Sequence, residues 1–234
     1  MDMLNSHCGV SRDHRNVVRL SICNAGALNI LGSAAIDAVR AGLQALAADP
    51  GIRVLVLCGE SEKSLIGGAD IKEMAGLNQT SAEIFITRLA GLCEDVRAFP
   101  VPVVARMPGW CLGGGLEVAA ACDLRIAAHD AKFGMPEVRV GIPSVIHAVL
   151  LPRLIGWGRA RRLLLTAELI DAPTALAWGL VDAVAPEGGL DAAVEHTVQS
   201  LLACGPEALR AQKALLREWE ELPLKESIEV SIGA

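Results

Sequence analysis

Two glutamates are the side chains of this sequence best suited to acid–base chemistry. Glu117 is the only charged residue in the apolar stretch GWCLGGGLEVAAAC, where an unpaired carboxylate is costly to bury. Glu137 lies 20 residues further on, in FGMPEVRVGIP. Taken alone, Glu117 is also consistent with a first-turn residue that complements a helix dipole, and Glu137 with a solvated loop residue. Together they form a pair that could hold and deprotonate a water molecule.

Two glycine-rich stretches, LIGGADIKEM and LGGGLEVA, are each predicted to connect a strand to a helix. Glycine allows backbone N–H groups to approach a ligand closely, and a helix N-terminus adds unpaired donors. Two such turns in one domain could bind a single oxyanion. Neither stretch matches the dinucleotide or P-loop phosphate pattern, and no GxSxG nucleophile motif is present.

Strands and helices alternate along the first two thirds of the chain, which predicts an α/β domain with mostly parallel sheets. Ser33 is predicted to cap the first helix, and a helix is predicted to begin near Asp70. The predicted strands are 17–22, 52–59, 101–107, 123–128 and 179–185. The predicted helices are 33–49, 81–98, the one following Gly114, 144–154, 158–167, 172–178, 190–203 and 206–219. We expect a core over 1–185 and a helical C-terminal region over 186–234.

Composition narrows the classes of function. A chain of 234 residues fits one domain, and its 52% hydrophobic content suits an oligomer that buries additional apolar surface. A net charge of −6 without a basic stripe argues against nucleic-acid binding. The seven scattered cysteines include no CxxC pair, which predicts reduced thiols rather than disulfides or a zinc site. With no apolar signal segment or membrane-length run, we predict a cytoplasmic protein without membrane contact.

Three ordered blocks resemble the enoyl-CoA hydratase/isomerase (crotonase) family. LIGGADIKEM resembles the family signature A-G-A-D-[IL]-K-E-M. PGWCLGGGLEVAAACDLRIAAHDAKFGMPEV resembles the block that ends in F-x-x-P-E, and PRLIGWGRARRLLLTAELIDAPTALAWGLVDAVAP matches the downstream pattern. The resemblance extends from about residue 17 to about residue 230. It implies a spiral of repeated β-β-α units followed by C-terminal helices, and assembly as a homotrimer or homohexamer.

The resemblance also implies a mechanism. The N–H groups of Ala69 and Gly114 would bind the thioester oxygen as an oxyanion hole. Glu117 would activate a water and Glu137 would protonate C2, so the implied activity is hydration of a 2-enoyl-CoA. No metal or separate cofactor is implied, since coenzyme A is part of the substrate. The alternatives are isomerisation, hydrolysis or decarboxylation of an acyl-CoA on the same scaffold, and a non-catalytic or RNA-binding relative.

Coenzyme A and substrate binding is implied along the first glycine-rich turn, with further positions near Leu28 and in the second glycine-rich stretch. These positions share an expected place beside the acyl-CoA; they are Ala27, Leu28, Gly67, Gly68, Asp70, Ile71, Trp110 and Gly113. Near Leu28 the sequence reads GALN where the family often has K-A-L-N. A basic residue that would meet a phosphate of coenzyme A is therefore absent at Gly26.

The sequence departs from the family pattern after Glu137. The family reads G-x-x-P-G-x-G-G-T-Q-R-L, whereas this chain reads GIPSVIHAVLLPRL. Pro136, Ser144 and His147 are expected to shape the acyl end of the pocket and to alter which acyl group fits. His147 could serve as an extra acid or base, but a core histidine with a hydrogen-bond partner is the favoured interpretation. The family also continues past KESIEVSIGA into a helix that helps close the coenzyme A site, which predicts a more open site here.

Overall fold

The computed structural model describes residues 1–233 as an α/β fold with helices at its C-terminal end, as the sequence predicts. The strands are β1 Asp2–Asn5, β2 Cys8–Arg12, β3 Val17–Ile22, β4 Ile30–Leu31, β5 Val54–Gly59, β6 Ser64–Ile66, β7 Gly68–Ala69, β8 Val103–Met107, β9 Trp110–Leu112, β10 Leu124–Ala128, β11 Lys132–Gly134, β12 Leu169–Asp171 and β13 Ala183–Ala185. The α-helices are α1 Ser33–Ala47, α2 Ile71–Met74, α3 Gln79–Arg97, α4 Gly114–Ala120, α5 Leu151–Thr166, α6 Ala172–Trp178, α7 Leu190–Leu202, α8 Pro206–Glu221 and α9 Leu224–Ile232.

The large sheet has seven strands in the order β1-β2-β3-β5-β8-β10-β13. Its strands from β3 onward pair in parallel, whereas β1 and β2 add an antiparallel hairpin at one edge. The central strands β5 and β8 are buried along almost their whole length, which explains their continuous Val, Leu and Ala runs. The sequence patterns identified these strands but not the hairpin.

A second sheet of four short strands, in the order β12-β11-β9-β6, and the two-stranded pair β4-β7 lie beside the candidate site. Strand β9 pairs in parallel with both β6 and β11. These strands contain only two or three residues each, so hydrophobic periodicity could not reveal them. Their pairing brings the glycine-rich turns together.

Helix α1 begins differently from the prediction. Its N-cap position is Gly32, and Ser33 is the first helical residue. The Ser33 hydroxyl donates a hydrogen bond to Glu73 instead of capping its own helix. The Asp70 side chain, by contrast, caps α2 by accepting hydrogen bonds from the amides of Lys72 and Glu73.

The segment after Glu137 is less helical than predicted. Residues Glu137–Val140 and Ile146–Leu150 form 3-10 turns, and α5 begins only at Leu151. Gly156 interrupts α5 with a φ of +77°, close to the predicted break between two helices. Of the predicted helix over 144–154, only residues 151–154 are α-helical, and Ile146–Leu150 form a 3-10 turn that lies next to α4.

Helices from the C-terminal region pack against the core. Helix α7 covers one face of the large sheet, and the buried Lys213 of α8 donates hydrogen bonds to the Val101 carbonyl and to Asp123. Helix α9 was not predicted.

The seven cysteines are free thiols, as expected. Within residues 1–233, no helix combines the length and apolarity that crossing a bilayer requires.

Candidate active site

The two glycine-rich turns lie against each other. Gly68 has a φ of +131°, and a Cβ placed on it would lie 3.5 Å from the Leu112 carbonyl oxygen. Gly115 approaches the neighbouring backbone even more closely, since a Cβ there would lie 2.3 Å from the Ile66 carbonyl oxygen. Only glycine permits this separation at position 115, which explains part of the GGG run.

Helix α4 begins at the second turn and presents its first amides there. Gly113, the N-cap residue, has a φ of +53° and a ψ of −126°, a conformation that a side chain would strain. The first amides of an α-helix have no partner within the helix, and Gly114 supplies one of them. Ala69 and Gly114 line the same cavity. The two residues whose amides are predicted to form an oxyanion hole therefore line one cavity.

Glu117 lies one turn into α4 and is only 4% exposed. Its Oε1 accepts a hydrogen bond of 2.9 Å from the amide of Ala148. Burial, opposed by the Ala148 amide and reinforced by the charge of Glu137, raises the pKa of Glu117 from 4.5 to about 8. Glu117 therefore holds a proton at neutral pH in the free protein.

Glu137 begins the first 3-10 turn and is half-buried. Its Oε1 lies over Gly113, because a Cβ on that glycine would be only 2.3 Å away. Its Oε2 accepts a hydrogen bond of 2.9 Å from the Ser144 hydroxyl. Burial raises the pKa of Glu137, while its own amide and the Ser144 hydroxyl act in the opposite direction.

Both glutamates line a single cavity of about 650 Å³. The structure brings these predicted residues together in its wall: Gly67, Gly68, Ala69, Asp70, Ile71, Gly113, Gly114, Glu117, Pro136 and Glu137. Aliphatic side chains supply most of the remaining wall; they include Ile30, Met74, Ile86, Leu89, Leu112, Val140, Ile142 and Val145. Besides the two glutamates, the charged residues in the wall are Asp70, Lys72 and Arg139. A largely apolar cleft with few charged groups suits a small number of oriented polar contacts.

Five predicted residues do not line this cavity. The carbonyl of Leu28 accepts a hydrogen bond from the Gly67 amide, and that of Ala27 accepts one from Ser61. Trp110 lies on β9, where its carbonyl accepts a hydrogen bond from Ser64. These three residues therefore contribute backbone contacts to neighbouring loops.

Ser144 and His147 do not line the cavity. The Ser144 hydroxyl donates a hydrogen bond to Glu137, which does line it. His147 Nε2 lies 3.8 Å from Glu94 Oε2, beyond hydrogen-bond distance, and its buried Nδ1 has no partner among the residues described. Burial and the charge of Arg97 lower the pKa of this histidine, whereas the neighbouring Glu94 acts in the opposite direction. In residues 1–233, no group of three or more His, Cys, Asp or Glu side chains is arranged to hold a metal ion.

Sequence reasoning missed two contacts of the site. The Ala148 amide reaches Glu117, and the Leu89 side chain packs on Gly114, where a Cβ would lie 2.8 Å from its Cδ2. A backbone amide leaves no mark in the sequence. The loss of glycines after Pro143 was the available signal that this segment is unusual.

The sequence model of the enoyl-CoA hydratase/isomerase family matches residues 12–233. This chain belongs to the enoyl-CoA hydratase/isomerase family. Its α/β architecture is also that of solved family members: an enoyl-CoA hydratase from Bacillus anthracis superposes with a TM-score of 0.93 at 31% identity, over 97% of this chain and 89% of that one. A Mycobacterium smegmatis enoyl-CoA hydratase gives a TM-score of 0.92 at 30% identity, over 96% and 88%.

Two proteins that are similar to this chain in sequence are named as hydratases. Crotonyl-CoA hydratase of Syntrophomonas wolfei is 35% identical over 209 residues, which are 89% of this chain and 80% of that protein. The human mitochondrial methylglutaconyl-CoA hydratase is 32% identical over 220 residues, covering 92% of this chain and 65% of the relative. The chain is thus similar to enzymes of acyl-CoA metabolism along most of its length.

Proposed function

We propose that this enzyme adds water across the C2=C3 bond of a 2-enoyl-CoA thioester. The observation that carries the proposal is that Glu117 and Glu137 line the same cavity as the turns of Ala69 and Gly114. Hydration needs one carboxyl group to accept a proton, another to donate one, and donors for the thioester oxygen. The four groups in this cavity meet that requirement.

In the proposed reaction, a water oxygen bonds to C3 while one glutamate takes a proton from that water. The π electrons move toward the thioester, and the enolate oxygen is stabilised by the amides of Ala69 and Gly114. The second glutamate gives its proton to C2, which completes a 3-hydroxyacyl-CoA. One proton enters the carboxyl pair and one leaves it, so the pair carries a single proton before and after the step.

The protonation of the pair supports this scheme at neutral pH. Burial raises the pKa of Glu117 to about 8 and also raises that of Glu137, and the scheme requires the pair to hold one proton between them. Below the first titration step the pair has no base, and above the second it has no acid. Activity is therefore expected to follow a bell-shaped pH dependence.

The coenzyme A portion is proposed to lie along Gly67, Gly68, Asp70 and Ile71, with the thioester at the junction of the two turns. Backbone amides in glycine-rich turns can approach a ligand closely without competing side chains. No metal ion or separate cofactor is invoked, since the proposed electrophilic stabilisation comes from amides.

The deciding experiment is a product analysis with a panel of straight, branched and aromatic 2-enoyl-CoA thioesters, and with 3-enoyl-CoA and saturated acyl-CoA substrates. Hydration gives a 3-hydroxyacyl-CoA and loss of the conjugated absorbance. Formation of a shifted double bond, free coenzyme A or carbon dioxide instead would identify an isomerase, a hydrolase or a decarboxylase and would refute the hydratase proposal. Binding of RNA without any turnover would equally refute it.

We further propose that the active form is a homotrimer or homohexamer. Large apolar side chains are exposed on helices of the C-terminal half; they include Trp157, Leu165, Leu216, Trp219, Leu224, Ile228 and Ile232. Apolar surface of this extent is typical of an interface between copies of a chain. Light scattering coupled to size-exclusion chromatography measures the assembly, and a monomer at micromolar concentration would contradict the proposal.

A further inference from the structure

One short segment, Ser144–Ala148, donates a hydrogen bond to each of the two glutamates. Its first residue gives the Ser144 hydroxyl to Glu137 Oε2, and its last gives the Ala148 amide to Glu117 Oε1, both at 2.9 Å. We call this segment the carboxyl clamp. Glu117 and Glu137 belong to different elements, so the carboxyl clamp is a single stretch of chain that contacts both.

The carboxyl clamp bends sharply to reach both carboxyl groups. Ile146 has a φ of +42°, a left-handed conformation that is a true outlier for a β-branched residue. Such strain costs about 1–2 kcal/mol and is concentrated at functional sites. The family pattern has glycines in this stretch, and glycine follows the proline where this chain has Ser144. The hydroxyl donor is therefore a feature of this sequence.

The contacts of the carboxyl clamp distinguish the two oxygens of each carboxyl group. In a neutral carboxyl group the carbonyl oxygen is the better acceptor, so an oxygen that already accepts a hydrogen bond is not the one that carries the proton. The oxygens left for proton exchange are Oε1 of Glu137 and Oε2 of Glu117. Oε1 of Glu137 is also the atom that lies over Gly113, beside the second glycine turn.

We propose that Ser144 is a positioning residue, whose hydroxyl holds Glu137 by Oε2 so that Oε1 alone exchanges protons with the acyl group or water. The inference rests on the proposed hydratase function for its catalytic consequence. Ser144 itself does not line the cavity, so it acts on the reaction through Glu137. Loss of the hydroxyl removes a donor that favours the carboxylate, which raises the pKa of Glu137.

The test compares Ser144→Ala with wild type in the 2-enoyl-CoA assay across pH. We expect kcat to fall about tenfold with KM within about twofold, because orientation is lost while the walls of the binding cavity stay intact. The limb of the pH profile that is set by Glu137 should move upward by about one unit. Ser144→Thr, which keeps a hydroxyl, should restore both values. Ser200→Ala is the matched control, because this serine lies on α7 and its hydroxyl bonds only its own helix.

A second measurement does not depend on turnover. In protein labelled with ¹³C at glutamate carboxyl carbons, NMR titration reports the pKa of Glu137 directly, assigned by its loss in Glu137→Gln. A higher pKa of Glu137 in Ser144→Ala, with that of Glu117 unmoved, supports the positioning role. An unchanged pKa of Glu137 would overturn it. If wild type hydrates no enoyl-CoA, the proposed function fails, yet this titration still decides whether Ser144 acts on Glu137.

Discussion

The helix that carries Glu117 and the turn that carries Glu137 hold similar carboxyl groups in opposite ways. Every residue of α4 from Gly114 to Ala120 is buried, whereas no residue of the turn Glu137–Val140 is fully buried. Glu117 owes its raised pKa mainly to loss of solvent, and Glu137 is additionally tuned by a hydroxyl donor. Burial thus raises the pKa of both carboxyl groups, and the opposing donor is a backbone amide for Glu117 and a side-chain hydroxyl for Glu137.

Removing either carboxyl group is the most severe way to test the pairing. We expect Glu117→Ala and Glu137→Ala each to lower kcat by at least about 10²-fold, because one proton-transfer partner is lost. Steady-state hydration of crotonyl-CoA measures the effect, with circular dichroism as the check on folding. Full activity in either variant would show that the two sites do not form a working pair.

Because Glu117 is buried, we expect the free energy of unfolding to depend on pH. Because its pKa is raised to about 8 when folded, the folded chain keeps a proton that the unfolded chain releases near pH 4.5. Stability is therefore lost as pH rises from about 4.5 to 8. The unfolding free energy of Glu117→Gln, taken relative to wild type, should therefore rise by about 4 kcal/mol between pH 5 and pH 9.

Denaturant unfolding at both pH values measures this difference. The comparison variant is Glu137→Gln, for which a smaller gain is expected because the turn is less buried. Equal gains in the two variants would mean that burial does not separate the two carboxyl groups.

A methyl group on Gly113 should disturb the turn of Glu137 without removing a carboxyl group. Its Cβ would meet Glu137 Oε1 at 2.3 Å, so we expect Gly113→Ala to lower kcat at least tenfold through a displaced carboxyl group. Gly141→Ala is the matched control: Gly141 also has a positive φ, of +83°, but a Cβ there meets nothing within 4 Å. If both variants lose the same activity, backbone strain rather than contact with Glu137 is responsible.

The smallest expected effect concerns the strain of the carboxyl clamp. Ile146 has a positive φ, which strains a β-branched residue but not glycine. Ile146→Gly should therefore relieve about 1 kcal/mol of strain. Loss of the half-buried side chain removes packing and offsets this gain. The unfolding midpoint should shift by only a few degrees, while kcat falls as the segment loosens. A drop in stability beyond about 3 kcal/mol would show that the side chain matters more than its conformation.

The order of motifs in the sequence identified the family, both glutamates and both glycine turns. Buried strands such as β5 and the caps of helices such as α2 follow from local composition, because a parallel strand is apolar on both faces and Asp70 bonds the amides that follow it. The short strands β6, β9 and β11 could not be read from two or three residues. Ser33 does not cap its own helix, because its hydroxyl donates a hydrogen bond to Glu73, which lies 40 residues further along the chain.

What the sequence alone determined is which groups are available: two carboxyl groups, two glycine turns and an apolar setting for Glu117. Tertiary structure decided which carboxyl oxygens accept hydrogen bonds, and from which donors. The Ala148 amide and the Ser144 hydroxyl come from a bent segment whose path no local propensity predicts, since it requires a left-handed isoleucine. His147, which the sequence suggested for the pocket, does not line it. Proton affinity depends on burial and on donors that distant parts of the chain supply, and only folding brings these together.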